Sequence, residues 1–200
     1  MHKNIKVIAF DADDTLWVNE TYFREAELAF AKLLAKYETA NTIDQELFKT
    51  EIRNLELYGY GIKGFVLSMI ECALELSNYK INPKVIQDIL EIGKQMLNKP
   101  IELLDGVEEV LQNLQPNYKI ILATKGDLLD QERKLEKSNL AQYFHHIEVM
   151  TDKKAADYQK LIKHLDIDSS QFLMIGNSLK SDVLPVLVIG ASAIHVPFHT

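Results

Sequence analysis

The sequence predicts an α/β fold, a doubly wound parallel sheet with an inserted all-helical domain. Three observations lead there. Five short, β-branched-rich apolar runs read as buried parallel strands; helical stretches join the last four of them, giving a strand and a crossover about every 30 residues. The block 18–100, after the first run, carries helical patterns and no strand pattern.

The first run, IKVIAF (5–10), ends in DADDT (11–15), so Asp11, Asp13 and Asp14 fall within four positions. Like charges this close repel, and the pKa of at least one partner rises unless a cation or donor groups offset them. A positive group is therefore expected nearby. Residues 18–100 form the predicted helical domain, and 1–17 with 101–200 the sheet domain. TYFREAELAFAKLLAKY sets Phe23, Ala26, Phe30, Leu33, Leu34 and Tyr37 at helical spacing. NTIDQELFKTEIRNLELY opens with Thr42 and Gln45 arranged as a capping box. GFVLSMIECALELS follows a glycine-rich turn, and NPKVIQDILEIGKQML starts with Asn82 as N-cap and Pro83 at the first helical position, stopping before Pro100. The remaining strands are KIILAT (119–124), HIEVM (146–150), QFLMI (171–175) and SAIHV (192–196), joined by helices over 127–140, 155–165 and 181–191. Pro185 is tolerable in the last because it falls in the first turn.

Composition narrows the function classes. A chain of 200 residues with 47% apolar content is long enough to bury a sizeable core. No apolar stretch approaches the ~20 residues of a membrane span, and MHKNIKVIAF lacks the layout of a signal peptide, so a soluble cytoplasmic protein with no membrane role is expected. A net charge of −7 without basic clusters argues against nucleic-acid partners. A small anionic substrate then needs a locally positive pocket. The single cysteine, Cys72, lies in the apolar pattern FVLSMIECALEL and reads as a packing residue.

Open parallel sheets bind ligands beyond the carboxyl ends of their strands. Asp11, Asp13 and Asp14 stand there after the first strand, and Thr124, Lys125 and Gly126 after the second. Lys153 and Lys154 follow the third, and Asn177, Ser178 and Asp182, in GNSLKSD, the fourth. Thr124, Lys153 and Asp182 are spaced 29 residues apart, one crossover each. Acids, a hydroxyl, an amine and another acid thus share one rim.

This ordered set resembles the haloacid dehalogenase-like hydrolase superfamily, and the resemblance spans essentially the whole chain. The motifs are DADDT, Thr124 in LATKGD, Lys153 in TDKKAADY and Asp182 in GNSLKSD, and the helical insert is similar to the family's cap placed after the first strand. The chain departs from the pattern at Asn177, where an acid is usual, in the missing proline after the lysine, and in ending at VPFHT soon after the last strand. Lys153 and Lys154 compete, and spacing to Tyr158 favours Lys153. The resemblance implies a magnesium-dependent phosphohydrolase acting on a small phosphorylated metabolite. Asp11 is then the nucleophile and Asp13 the general acid and base; Asp11, Asp182 and the Asp13 carbonyl hold Mg2+. Thr124 and Lys125 hold phosphate, Lys153 offsets its charge, and Asn177 and Thr15 support the site.

The same residues bear on other chemistries. Dehalogenation of a 2-halo acid needs no proton for its leaving halide, so Asp13 favours a phosphatase. A mutase or other phosphotransferase would use the same pair. A signalling receiver domain would carry its acceptor aspartate on a later strand, without so large an insert, and a silent phosphate-binding protein would not retain Asp11, Asp13 and Lys153 together. Within the insert, LYGYGIKGF (57–65) reads either as a hinge or as a loop that presents Tyr58, Tyr60 and Lys63 to substrate. His145 and His146 read as surface residues, and His195 and His199 as structural, since Pro197 stands between them.

Overall fold

The computed structural model describes residues 4–198, and His199 lies outside them. The chain divides into two compact units, 1–19 with 101–200, and 20–100.

The first unit is built on five parallel strands: β1 (Val7–Phe10), β2 (Lys119–Lys125), β3 (Ile147–Met150), β4 (Phe172–Gly176) and β5 (Ser192–His195). Their order is β3-β2-β1-β4-β5, all pairs parallel. From β1 the chain winds outward through β2 and β3, then returns to place β4 on the other side of β1. That reversal opens a crevice at the carboxyl end of β1, flanked by β2 and β4.

Alternation along β1 divides the core. Val7 and Ala9 pack with Tyr158, Leu161, Ile162 and Val186 on one face; Ile8 and Phe10 pack with Leu16, Trp17, Leu111 and Leu135 on the other. The first face is covered by α7 (Ala155–His164) and α8 (Leu184–Val188), the second by α5 (Val107–Leu114) and α6 (Leu128–Lys137). Helix α5 has no counterpart among the sequence expectations. It is short, and it begins only after Gly106 turns the backbone into the left-handed region at φ 77°.

The second unit packs α1 (Glu20–Leu34), α2 (Ala40–Tyr58), α3 (Ile62–Leu76) and α4 (Pro83–Asn98) around Phe30, Leu34, Ile43, Met69 and Ile89. Cys72 is buried in this cluster, and burial pushes its thiol up to about 12, which suits packing and not nucleophilic chemistry. Asn82 caps α4 by accepting from the Lys84 amide, with Pro83 in the first turn. The start of α2 differs from the expected capping box. Thr39 is the N-cap and accepts from the Thr42 amide, while the Thr42 hydroxyl is engaged with Thr39 Oγ1.

The expected helix over 181–191 is likewise replaced. A wide π turn, Leu179–Val183, precedes α8. The amide that would close an α-helical bond onto the Ser181 carbonyl belongs to Pro185, which has none. The Tyr158 hydroxyl donates to that carbonyl at 2.9 Å. Among the described residues, no helix is long and apolar enough to cross a membrane.

Candidate active site

The loop after β1 resolves the crowding of its three acids by giving each its own partners. Asp14 adopts φ 58°, a left-handed conformation that a short polar side chain tolerates, and its Oδ1 accepts from the Asn19 amide at 2.8 Å. The turn carries Trp17 back so that its carbonyl accepts from the Asp14 amide. Asp11 and Asp13 are then directed to different lysines.

Asp11 meets Lys153. The ammonium donates to Asp11 Oδ1 at 2.5 Å and to Asp182 Oδ1 at 2.7 Å, and all three residues are buried. Asp11 Oδ2 accepts from the Thr15 hydroxyl and Asp182 Oδ2 from the Ser178 amide. Burial lifts the Asp11 carboxyl to about 6, against the pull of Lys153 and with the repulsion of Asp182. Burial by itself would depress Lys153, but the two carboxylates hold its ammonium above the ordinary value. Lys154, in contrast, is exposed and pairs with Asp152. Of the two competing lysines, Lys153 is therefore the one brought to Asp11.

Close packing sets the position of Asp182. A Cβ on Gly176 would lie 2.5 Å from Asp182 Cγ, so only glycine leaves room for this carboxylate against the end of β4. The Tyr158 ring packs at a tilt against Phe172, and the Tyr158–Ser181 bond ties α7 to the turn that carries Asp182. Burial, then the charges of Asp182 and Asp11, push the Tyr158 hydroxyl far upward, so it acts as a neutral donor.

Thr124 is buried near the end of β2, two residues beyond the partner of Phe10, with its hydroxyl 3.2 Å from the Lys125 carbonyl. Lys125 Nζ donates to Ser181 Oγ, and burial together with the nearby Lys153 charge lowers its pKa. Asn177 contributes its backbone: its carbonyl lies 2.9 Å from His195 Nε2.

Asp13 is held by side chains that sequence reasoning did not single out. Trp17 Nε1 and Lys134 Nζ donate to its Oδ1 at 2.8 and 2.9 Å, and Gln131 Nε2 to its Oδ2 at 2.8 Å. Gln131 and Lys134 are three apart on α6, on one face of the helix. Their signal within DLLDQERKLEKSNL is hidden by six other charged residues.

Asp11, Asp13, Thr15, Thr124, Lys125, Lys153 and Asp182 thus all belong to the first unit, at or beside the crevice beyond β1. Tyr58, Tyr60 and Lys63 belong to the helical unit, at the α2–α3 connection, where Gly59 and Gly61 take positive φ. The Tyr58 hydroxyl donates to Glu71 Oε1, and buried Asn54 donates to Glu71 Oε2 and Ser68, pinning α2 to α3. Lys63 is exposed in the first turn of α3.

The donor set at the crevice suits a small hard cation. Asp11 and Asp182 bring two carboxylates to one ammonium, and the described residues hold no group of three or more His, Cys, Asp or Glu able to enclose a metal. Two carboxylates fit magnesium, which keeps waters and takes substrate phosphate as further ligands. They do not fit zinc, which prefers nitrogen and sulfur.

A family model described as haloacid dehalogenase-like hydrolase matches residues 5–186. No curated protein matches the chain. Among solved structures, a haloacid dehalogenase-like family hydrolase from Xanthomonas campestris is 43% identical, with a TM-score of 0.93 over 98% of this chain and 83% of that one. A 2-haloacid dehalogenase from Pseudomonas syringae is 20% identical, with a TM-score of 0.66 over 96% of this chain and 86% of that one. A protein described as a predicted phosphoglycolate phosphatase from Haemophilus somnus is 16% identical, with a TM-score of 0.64 over 99% and 88%. The last two share the fold alone, and they represent both chemistries. The matched residues, the parallel sheet and the close Xanthomonas relative make the chain a member of the haloacid dehalogenase-like hydrolases.

Proposed function

We propose that this hydrolase is a magnesium-dependent phosphatase acting on a small phosphate monoester. The observation that carries the reading is Asp13: a second carboxyl, two residues after the nucleophile candidate Asp11, held in one orientation by three donors. Loss of halide from a 2-halo acid requires no proton donor, whereas loss of an alkoxide does.

Asp11 attacks phosphorus as the bond to the ester oxygen breaks, and Asp13 delivers a proton to that oxygen, releasing the alcohol. The product is an aspartyl phosphate on Asp11. Water then attacks phosphorus, its proton passes to Asp13, and the Asp11 carboxylate leaves as phosphate is freed. Lys153 and Lys125 supply positive charge for phosphate oxygens, with the Thr124 hydroxyl as a further donor. Magnesium, held by Asp11, Asp182 and the Asp13 carbonyl, would neutralise charge on the transferring group.

The test is a panel of sugar phosphates, nucleotides, flavin mononucleotide and nitrophenyl phosphate, run beside 2-halo acids, with and without magnesium. Phosphate release that needs magnesium is expected, and Asp11→Asn should lower it by ~10⁴-fold or more. Release of halide without phosphate release would overturn the reading. Phosphate appearing only on an added alcohol acceptor would assign a phosphotransferase instead.

A further inference from the structure

Helix α6 contributes a feature that the reaction scheme leaves unexplained. The Asp13 carboxylate offers about four acceptor sites. Trp17 Nε1 and Lys134 Nζ occupy both on Oδ1, and Gln131 Nε2 takes one on Oδ2. One site, on Oδ2, is left.

The local structure accepts a cost to keep this arrangement. Gln131 is buried, and its Nε2 also donates to the Lys125 carbonyl at 3.0 Å. Its Oε1 is buried with no hydrogen-bond partner. An orphaned buried acceptor is destabilising and calls for an explanation. Here the orientation that leaves Oε1 alone is the one that keeps both bonds from Nε2. Gly126, at φ 129°, makes room for it: a Cβ there would come within 3.0 Å of Gln131 Nε2. Lys134 is nearly buried, and its ammonium also donates to Asn19 Oδ1 at 2.9 Å, with Asp130 Oδ2 at 3.8 Å. Its head is thus held on three sides.

On the phosphatase reading above, we propose that Lys134 and Gln131 are positioning residues that act through Asp13, fixing its carboxyl so that Oδ2 is the oxygen exchanging the proton with leaving group and water. A proton on Oδ2 is compatible with all three donors, because a protonated oxygen keeps acceptor capacity for Gln131. Catalytic groups must be held within a fraction of an ångström of productive geometry, and a displacement of ~1 Å costs ~10²-fold.

The test is a double-mutant cycle of Asp13→Asn and Lys134→Met, with Lys134→Arg and Gln131→Met alongside, on an alkyl phosphate and on nitrophenyl phosphate. Lys134→Met should lower kcat for the alkyl ester by ~10- to 100-fold and move KM by less than about twofold. The nitrophenyl ester, whose leaving group needs no proton, should lose less in single-turnover phosphoryl transfer. Lys134→Arg should regain most of the loss, and Lys134→Met should add nothing in the Asp13→Asn background. Full additivity, equal losses for both esters, or a change confined to KM would overturn the role. If Lys134→Met melts before assay temperature, Gln131→Met carries the same expectations, and the same three outcomes would overturn the role. A wild type inactive on every phosphate ester would remove the phosphatase reading and this role with it; an active wild type with an additive cycle would remove this role alone.

Discussion

The two units treat clustered acid in opposite ways. In the α/β unit, Asp11 and Asp182 share Lys153, and Asp13 has Lys134. In the helical unit, Glu20, Glu27, Asp44 and Glu51 gather with Arg24, which pairs with Glu20 and Glu27. Burial and then the charges of Glu27 and Glu20 lift Glu51 to about 7, with Asp44 adding and Arg24 opposing. Asp11 is more deeply buried, and its rise to about 6 is opposed by an ammonium that touches it. The difference separates charge arranged for chemistry from charge tolerated by a fold.

Removing the cation from the first cluster should have the largest effect. Lys153→Met leaves two buried carboxylates facing each other, and breaking a buried pair costs ~3–5 kcal/mol. Activity should fall below detection, and the melting temperature should drop by roughly 10 °C, at ~2–4 °C per kcal/mol for a chain of this size. A melting temperature unchanged by the substitution would show that the cluster does not depend on its lysine.

A smaller perturbation leaves the charges in place and moves one of them. Gly176→Ala forces Asp182 out of its packed position, since the new methyl would lie 2.5 Å from Asp182 Cγ. Turnover should fall ~10²-fold. Wild-type kinetics in this variant would mean that the cluster tolerates displacement and that its geometry is not what matters.

The helical unit offers the mildest test. Glu51 has a folded pKa above its unfolded value, so the folded state binds the extra proton. Stability from this group is intact below about 4.5 and is lost as pH rises through about 7. Glu51→Gln should therefore match wild type at pH 4.5 and melt about 2–4 °C higher at pH 8, after allowance for solvent around a half-buried group. Thermal melts at the two pH values check it. Equal shifts at both would assign the gain to packing.

The parts legible in the sequence were those with a short-range signature. Buried parallel strands are continuous apolar runs, so IKVIAF, KIILAT and QFLMI identify themselves, and regular crossovers put Thr124, Lys153 and Asp182 at one spacing. Asn82–Pro83 marks a helix start because both residues act on their own backbone. What was hidden depends on which face meets what. Gln131 and Lys134 are ordinary surface-helix residues until α6 is laid beside the loop after β1. Thr39 and not Thr42 is the N-cap because the backbone is extended at Thr39 and helical from Ala40, three residues before the expected start. Helix α5 was too short to show more than two turns of pattern.

The bond from Tyr158 to the Ser181 carbonyl has a consequence for how the ionic cluster tolerates change. A phenol stands in for the amide that Pro185 lacks, so the spacing between the start of α7 and the turn of Asp182 is secured by an uncharged contact. One tie between the segments of Lys153 and Asp182 is thus uncharged, beside the ion pair that joins the two residues directly. A charge lost from the cluster then costs its electrostatic balance, while the register between α7 and this turn keeps a hinge pin of its own.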